Sequence, residues 1–222
     1  MALEPGGRAA KLGNRYEGRW VVRQLLRVLN DDLLAVTCEA VGDDERGVDL
    51  WVEHPDGVRQ YQQCKIRNAS KDHWSIADLA HQGILAAMKL HLDRQPTNQF
   101  AIVTPLTSVL LHDICESARS SSGDPEEFFS FQIEAIGQDR RNGFRQFCQR
   151  LDLNSNTEEG RAQAFSYLRR FFIEPWPDTN ASREDLIGQA RMHVCMDSDG
   201  TPSTVVAVLA AFTQDNLGKR LD

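Results

Sequence analysis

The chain has 222 residues, 41% hydrophobic and 26% charged, which suits a globular protein with one large domain or a domain with a small appendage. No apolar run approaches the roughly 20 residues of a bilayer span, and the first residues lack the apolar stretch of a secretory signal. The five cysteines are scattered without a C-x-x-C pair, which argues against a disulfide framework or a zinc cluster. The expectation is a cytoplasmic protein with no membrane contact.

The formal charge of −7 is awkward for a partner made of phosphates, but it is unevenly spread. Residues 1–30 carry six Arg and Lys against two Glu, and residues 58–73 carry four against one Asp. In chain order, 1–13 reads as a mobile Gly/Ala/Pro-rich lead-in, and Asn14 as the N-cap of a helix running to about Leu29. Leu33 to Val41 reads as a strand, followed by the acidic turn Gly42 to Glu45. Val48 to Glu53 and Val58 to Arg67 make a hairpin. Its Pro55-Asp56-Gly57 loop suits a type I turn with Gly in the left-handed position. Helical spacing marks Ser75 to Leu92, Gln99 to Thr104 reads as a buried strand ended by Pro105, and Leu106 to Ala118 is helical again. Phe129 to Ile136 reads as a further strand. Asp139–Leu151, Glu158–Phe172, Ser182–Cys195 and Pro202–Leu217 all look helical. The expected fold class is α/β: a mixed β-sheet flanked by helices over 1–138, with a helical subdomain over 139–222 packed on that core.

The polar residues of the hairpin carry a specific pattern. Pairing His54 with Val58 across the loop sets Asp49 opposite Gln63, and cross-strand neighbours on one face lie about 4.5–5.5 Å apart at Cβ. Strand alternation turns Lys65 the same way as Gln63. Glu17 stands on the first helix within about 60° of Trp20, Val21, Gln24 and Val28, an apolar stripe where a carboxylate is costly unless paired or bound to metal. Hard oxygen ligands of this kind suit Mg²⁺, with Mn²⁺ as a substitute. Such an ion neutralises a phosphate and lowers the pKa of a bound water. On this reading Asp49, Gln63 and Glu17 hold the metal, and Lys65 orients the attacking water or stabilises the transition state. Arg15, Arg19, Arg67, Lys71 and His73 are the candidate phosphate contacts. The glycines at 6, 7 and 13 lack the Gly-Lys-Ser/Thr of a nucleotide-binding loop, so no ATP site is indicated.

This constellation resembles the PD-(D/E)xK restriction-endonuclease-like superfamily in its Mrr-like form with Gln-x-Lys. Gly47-Val48-Asp49, Tyr61-x-x-Cys64-Lys65 and the segment Gly13 to Leu26 look more narrowly like the double-stranded DNA endonuclease domain of bacterial anti-phage effectors. Those domains stand at the N-terminus of CD-NTase-associated (CBASS) effectors and of antiviral STAND NTPases (Avs). The resemblance covers roughly residues 8–135. It implies a Mg²⁺-dependent endodeoxyribonuclease acting on duplex DNA, with Glu17, Asp49, Gln63 and Lys65 as catalytic residues. It further implies activation by oligomerisation, as a dimer or tetramer, and fusion to a C-terminal sensor or NTPase region. The rival from another class is an inactive restriction-like fold that holds DNA or assembles with a partner.

Overall fold

The computed structural model describes residues 5–38, 46–66, 71–178, 180–193 and 202–222. Its architecture is mixed α/β, an open six-stranded sheet flanked by helices. The strands are β1 (Ala35–Cys38), β2 (Leu50–Glu53), β3 (Arg59–Cys64), β4 (Gln99–Thr104), β5 (Phe171–Pro175) and β6 (Arg220–Leu221), in the order β5-β4-β3-β2-β1-β6. By proximity of their backbones the residues form two compact units. One is Met1–Ile66 with Val103–Pro105 and Pro175–Asp222, the other Arg67–Ile102 with Leu106–Glu174.

In the first unit, α1 (Pro5–Leu29) is the long packing element. It starts nine residues before the expected cap at Asn14. Proline at the first helical position is preorganised for a helix, and the Arg8-Ala9-Ala10-Lys11-Leu12 run that follows contains only good helix formers, which outweigh the glycines beside them. Tyr16, Trp20, Val21, Leu25 and Leu26 are buried together with Val36, Leu50, Val52, Val103 and Trp176, so the apolar stripe of α1 covers one face of the hairpin. The hairpin itself follows the expected register. Leu50 pairs with Gln62 and Glu53 with Arg59, and the His54 N–H donates to the Val58 carbonyl at 2.9 Å. Gly57 has φ +83°, the left-handed value the loop demands. Helix α8 (Asn180–His193) contributes Leu186 and Ala190 to this core, α9 (Pro202–Asp215) adds partly buried Leu209, and β6 pairs antiparallel with β1. The strand expected to run to Val41 is described only as far as Cys38, and the acidic turn after it lies outside the described residues.

The second unit corrects three expectations. The helix expected over 75–92 is two, α2 (Ile76–His81) and α3 (Ile84–Arg94), parted by Gly83 at φ +74°. Ser75 caps α2 in a full capping box with Asp78. The strand expected over Phe129 to Ile136 is instead a short α5 (Pro125–Phe128) leading into a π-helix, Phe129–Glu134. Asp124 accepts from the Glu126 and Glu127 N–H groups and Pro125 opens the turn, so the helix is nucleated before the alternating Phe-Ser-Phe-Gln-Ile pattern begins. Residues after 138 are not all helical. Beyond α6 (Gln138–Arg150) and α7 (Glu158–Arg170), Phe171–Pro175 is β5, and Arg220–Leu221, which belongs to the first unit, is β6. With α4 (Val109–Ser120), the helices bury a phenylalanine cluster in which the Phe128 ring stands 5.0 Å from Phe165 and 6.3 Å from Phe144. Among the described residues no helix is long and apolar enough to cross a membrane.

Candidate functional site

Strand alternation divides the polar residues of the hairpin between two faces. Gln60, Gln62 and Cys64 share the face that α1 covers, with Leu50 and Val52. Gln63 and Lys65 lie on the other face, with Trp51, Arg59 and Tyr61. The covered face is more polar than its apolar spacing suggests. The Trp20 indole N–H donates to Gln62 Oε1 at 2.7 Å, and Gln62 Nε2 donates to Gln60 Oε1 at 2.6 Å. The sequence reading passed over Gln62. Its signal was there, because a Gln at a core-facing position of a strand must find a partner on the helix above it.

Asp49 stands just before β2 and its backbone N–H donates to the Gln62 carbonyl at 3.0 Å. Its carboxylate Oδ2 accepts the Cys64 backbone N–H at 2.6 Å, tying the two strands at the open end of the hairpin. The Lys65 N–H continues the sheet to the Val103 carbonyl at 2.8 Å. Gln63 is buried, and its Oε1 has no hydrogen-bond partner among the described residues. Glu17 is half-buried on α1, flanked by the buried Tyr16 and, one turn on, by Trp20 and Val21. Burial first, then the Asp49 and Glu17 carboxylates, push the Cys64 thiol well above its usual range, with Lys65 opposing.

Nearby, the Tyr16 hydroxyl donates to the Trp176 carbonyl at 2.9 Å, and burial raises its pKa far above the ordinary phenol value. Tyr16 and Trp20 both pack 5.3 Å from the Trp176 ring, so α1 is firmly seated beside the site.

The expected phosphate contacts are placed unevenly. Arg15 is exposed, whereas Arg19 is half-buried and donates to Ser182 Oγ at 3.1 Å. Lys71 pairs with Asp78 at 2.6 Å, and His73 with Asp72 at 2.9 Å, an interaction that lowers the pKa of that carboxyl. Arg67 lies outside the described residues. Among the described residues no group of three His, Cys, Asp or Glu side chains is placed to hold a metal ion. The geometry offers an acceptor-rich cluster with one cation, Lys65, and one buried oxygen in want of a partner.

Neither a protein-family model nor a curated protein matches this chain. Solved structures do. A Cap4 SAVED/CARF-domain containing receptor from Moraxella osloensis shares 14% identity at a TM-score of 0.55, over 96% of this chain and 45% of that one. The Acinetobacter baumannii Cap4 SAVED/CARF-domain containing receptor, in a structure with the cyclic trinucleotide 3'3'3'-cAAA, shares 11% identity at a TM-score of 0.55, over 91% of this chain and 42% of that one. A second structure of it, without that ligand in its description, gives the same values. The chain spans less than half the length of these receptors. At such identity the likeness establishes the fold.

These findings correct the functional expectation. The structures that share the fold are described as receptors, two of them in complex with a cyclic trinucleotide, and none is described as a nuclease. The assignment to the PD-(D/E)xK superfamily, the Mg²⁺-dependent DNA endonuclease and the enzyme built on it are overturned on that ground.

Proposed function

We propose that this chain is a module of a receptor that answers to a cyclic oligonucleotide in antiviral defence, and that the cluster around Gln63 and Lys65 contacts the ligand. The observation that carries the reading is the shared fold, over 91–96% of the chain, with receptors of which one was solved with 3'3'3'-cAAA. The chemistry of the cluster suits such a ligand. A cyclic oligoadenylate presents phosphates, which need a cation, and exocyclic amines, which need acceptors. Lys65 supplies the first, and Gln63 Oε1 with the Asp49 carboxylate supplies the second.

Mg²⁺ is the other occupant these oxygens suit: Gln63 Oε1 is a buried hard oxygen without a hydrogen-bond partner among the described residues, and an ion held by Gln63 and Asp49 in place of the ligand amines would supply positive charge opposite a ligand phosphate.

The test is titration of the full-length protein with 3'3'3'-cAAA and 2'3'3'-cAAA by calorimetry, for wild type and Lys65→Ala, with Mg²⁺ and with EDTA. Loss of one charge-assisted hydrogen bond, about 1.5–3 kcal/mol, predicts roughly 10- to 100-fold weaker binding in the variant. Saturable binding that Lys65→Ala leaves unchanged would move the ligand contact out of this module. No saturable binding by the full-length protein would overturn the receptor reading.

A further inference from the structure

In the second unit, α4 and α6 run antiparallel. Arg140 Nη1 donates to Ser117 Oγ at 2.8 Å, and Gly143, about one turn further along α6, faces Ile114 and Leu110, nearer the start of α4. A Cβ at Gly143 would meet Leu110 Cδ2 at 2.8 Å, so the glycine lets the two helices close at that level. Over this seam lies a cleft of about 690 Å³. Val109, Leu110 and Asp113 of α4 line it, with Asp139, Arg145 and Gln149 among the residues from α6.

The lining changes in character along the cleft. Asp139 is next to Arg140, and Asp113 is about one turn from Ser117, so both carboxylates lie toward the end marked by the Arg140–Ser117 bond. Arg145 and Gln149 lie beyond Gly143, toward the other end. Between them stand Val109 and Leu110, aliphatic side chains that are 65% and 37% exposed. Among the described residues, the Asp113 and Asp139 carboxylates and the Arg145 guanidinium make no ion pair. Their neighbours do: Glu116 on α4 pairs with Arg119, and Glu126 on α5 pairs with Arg161. One cleft therefore carries charges of both signs that leave each other unpaired.

We propose that this cleft is the contact surface for a second copy of the chain, related by a two-fold axis. Such an axis requires a face complementary to itself, because every contact made by one copy is returned by the other. An axis through Val109 and Leu110 exchanges the two ends of the cleft. It sets the Asp113 and Asp139 end of each copy against Arg145 of the other, with the aliphatic side chains meeting at the centre. An apolar centre with a polar rim is the usual anatomy of a protein interface. The net charge of −7 opposes the approach of two copies except where a cation meets a carboxylate, which this arrangement provides twice. A small molecule fits less well. Ordinary ligand sites bury about 70–90% of their ligand, whereas Val109, Asp113, Asp139 and Arg145 are all exposed. The cleft belongs wholly to the second unit and Gln63 and Lys65 to the first, so the test does not depend on the receptor reading.

The experiment is sedimentation velocity of the full-length protein without ligand, at concentrations up to roughly 100 μM, which reaches a weak dimer. A reversible monomer–dimer equilibrium is expected. Arg145→Glu in one variant, and Asp113→Arg with Asp139→Arg in another, should each weaken self-association at least about tenfold, because like charges then face each other on both sides of the axis. Mixed in equal amounts, the two variants bring opposite charges together again and should form a mixed dimer. That recovery also shows that neither variant has lost its fold. A wild-type protein that stays monomeric at the highest concentration would overturn the proposal. So would a dimer that both charge reversals leave unchanged, as would variants that remain apart when mixed.

Discussion

Cys64 is the residue at which the charges of the polar cluster converge. Its thiol is held far above the usual range by burial and by Asp49 and Glu17, so little thiolate exists at pH 8. Alkylation by iodoacetamide at that pH, followed by peptide mass spectrometry, should therefore be at least about tenfold slower at Cys64 than at an exposed cysteine. Asp49→Asn removes one raising charge and should speed it; an unchanged rate would separate Asp49 from the thiol. Gln62 is a second deciding residue. Gln62→Leu leaves the Trp20 indole N–H buried without an acceptor, which costs about 1–3 kcal/mol in urea unfolding. Adding Trp20→Phe removes the orphaned donor, so the double variant should lose less than the two single losses combined.

His54 makes stability depend on pH. Burial and then Arg27 lower its pKa, with Asp56 opposing, so the folded state binds the proton less readily than the unfolded chain. The contribution of this histidine is complete above the usual imidazole value of 6.5 and is lost as the pH falls below it through the lowered folded value. The Tm measured from pH 7.5 to 5 should fall less steeply in His54→Gln than in wild type. Parallel curves would contradict this.

At the scale of elements, two glycines make the strongest claims. Gly57 takes φ +83° in the hairpin loop, and alanine there should cost roughly 1–2 kcal/mol from left-handed strain alone. At Gly160, in the first turn of α7, an added Cβ would collide with the Asn154 carbonyl. Gly160→Ala should therefore destabilise by roughly 1–3 kcal/mol in the same urea assay. The hairpin, its turn and the register from Glu53–Arg59 to Leu50–Gln62 were legible in the sequence, because loop chemistry and two-residue alternation fix all three locally, whereas Asp49, expected opposite Gln63, donates its N–H to the Gln62 carbonyl. The π-helix at Phe129–Glu134 was not, since an alternating run of six residues fits a strand equally well and only the capping of the preceding turn decides between them. β5 and β6 were missed for a related reason. Each is a short segment at the end of a helical stretch, Arg220–Leu221 being two residues long, and what makes it a strand is pairing with residues distant in sequence.

At the scale of the whole molecule, the net charge of −7 and the placement of the basic residues tell one story. Lys71 and His73 are paired with acidic neighbours and Arg19 with Ser182, so these side chains are already engaged within the protein. Spacing of residue types singled out Glu17, Asp49, Gln63 and Lys65, but spacing alone does not determine their chemistry. That depends on which hydrogen bonds the groups already make, such as the Cys64 N–H on Asp49, and on the company the fold keeps. The measurement that tests the receptor reading most directly is calorimetric titration of the full-length protein with 3'3'3'-cAAA. The account predicts saturable binding that weakens roughly 10- to 100-fold in Lys65→Ala. No saturable heat from a folded full-length protein, with either cyclic trinucleotide, would contradict it.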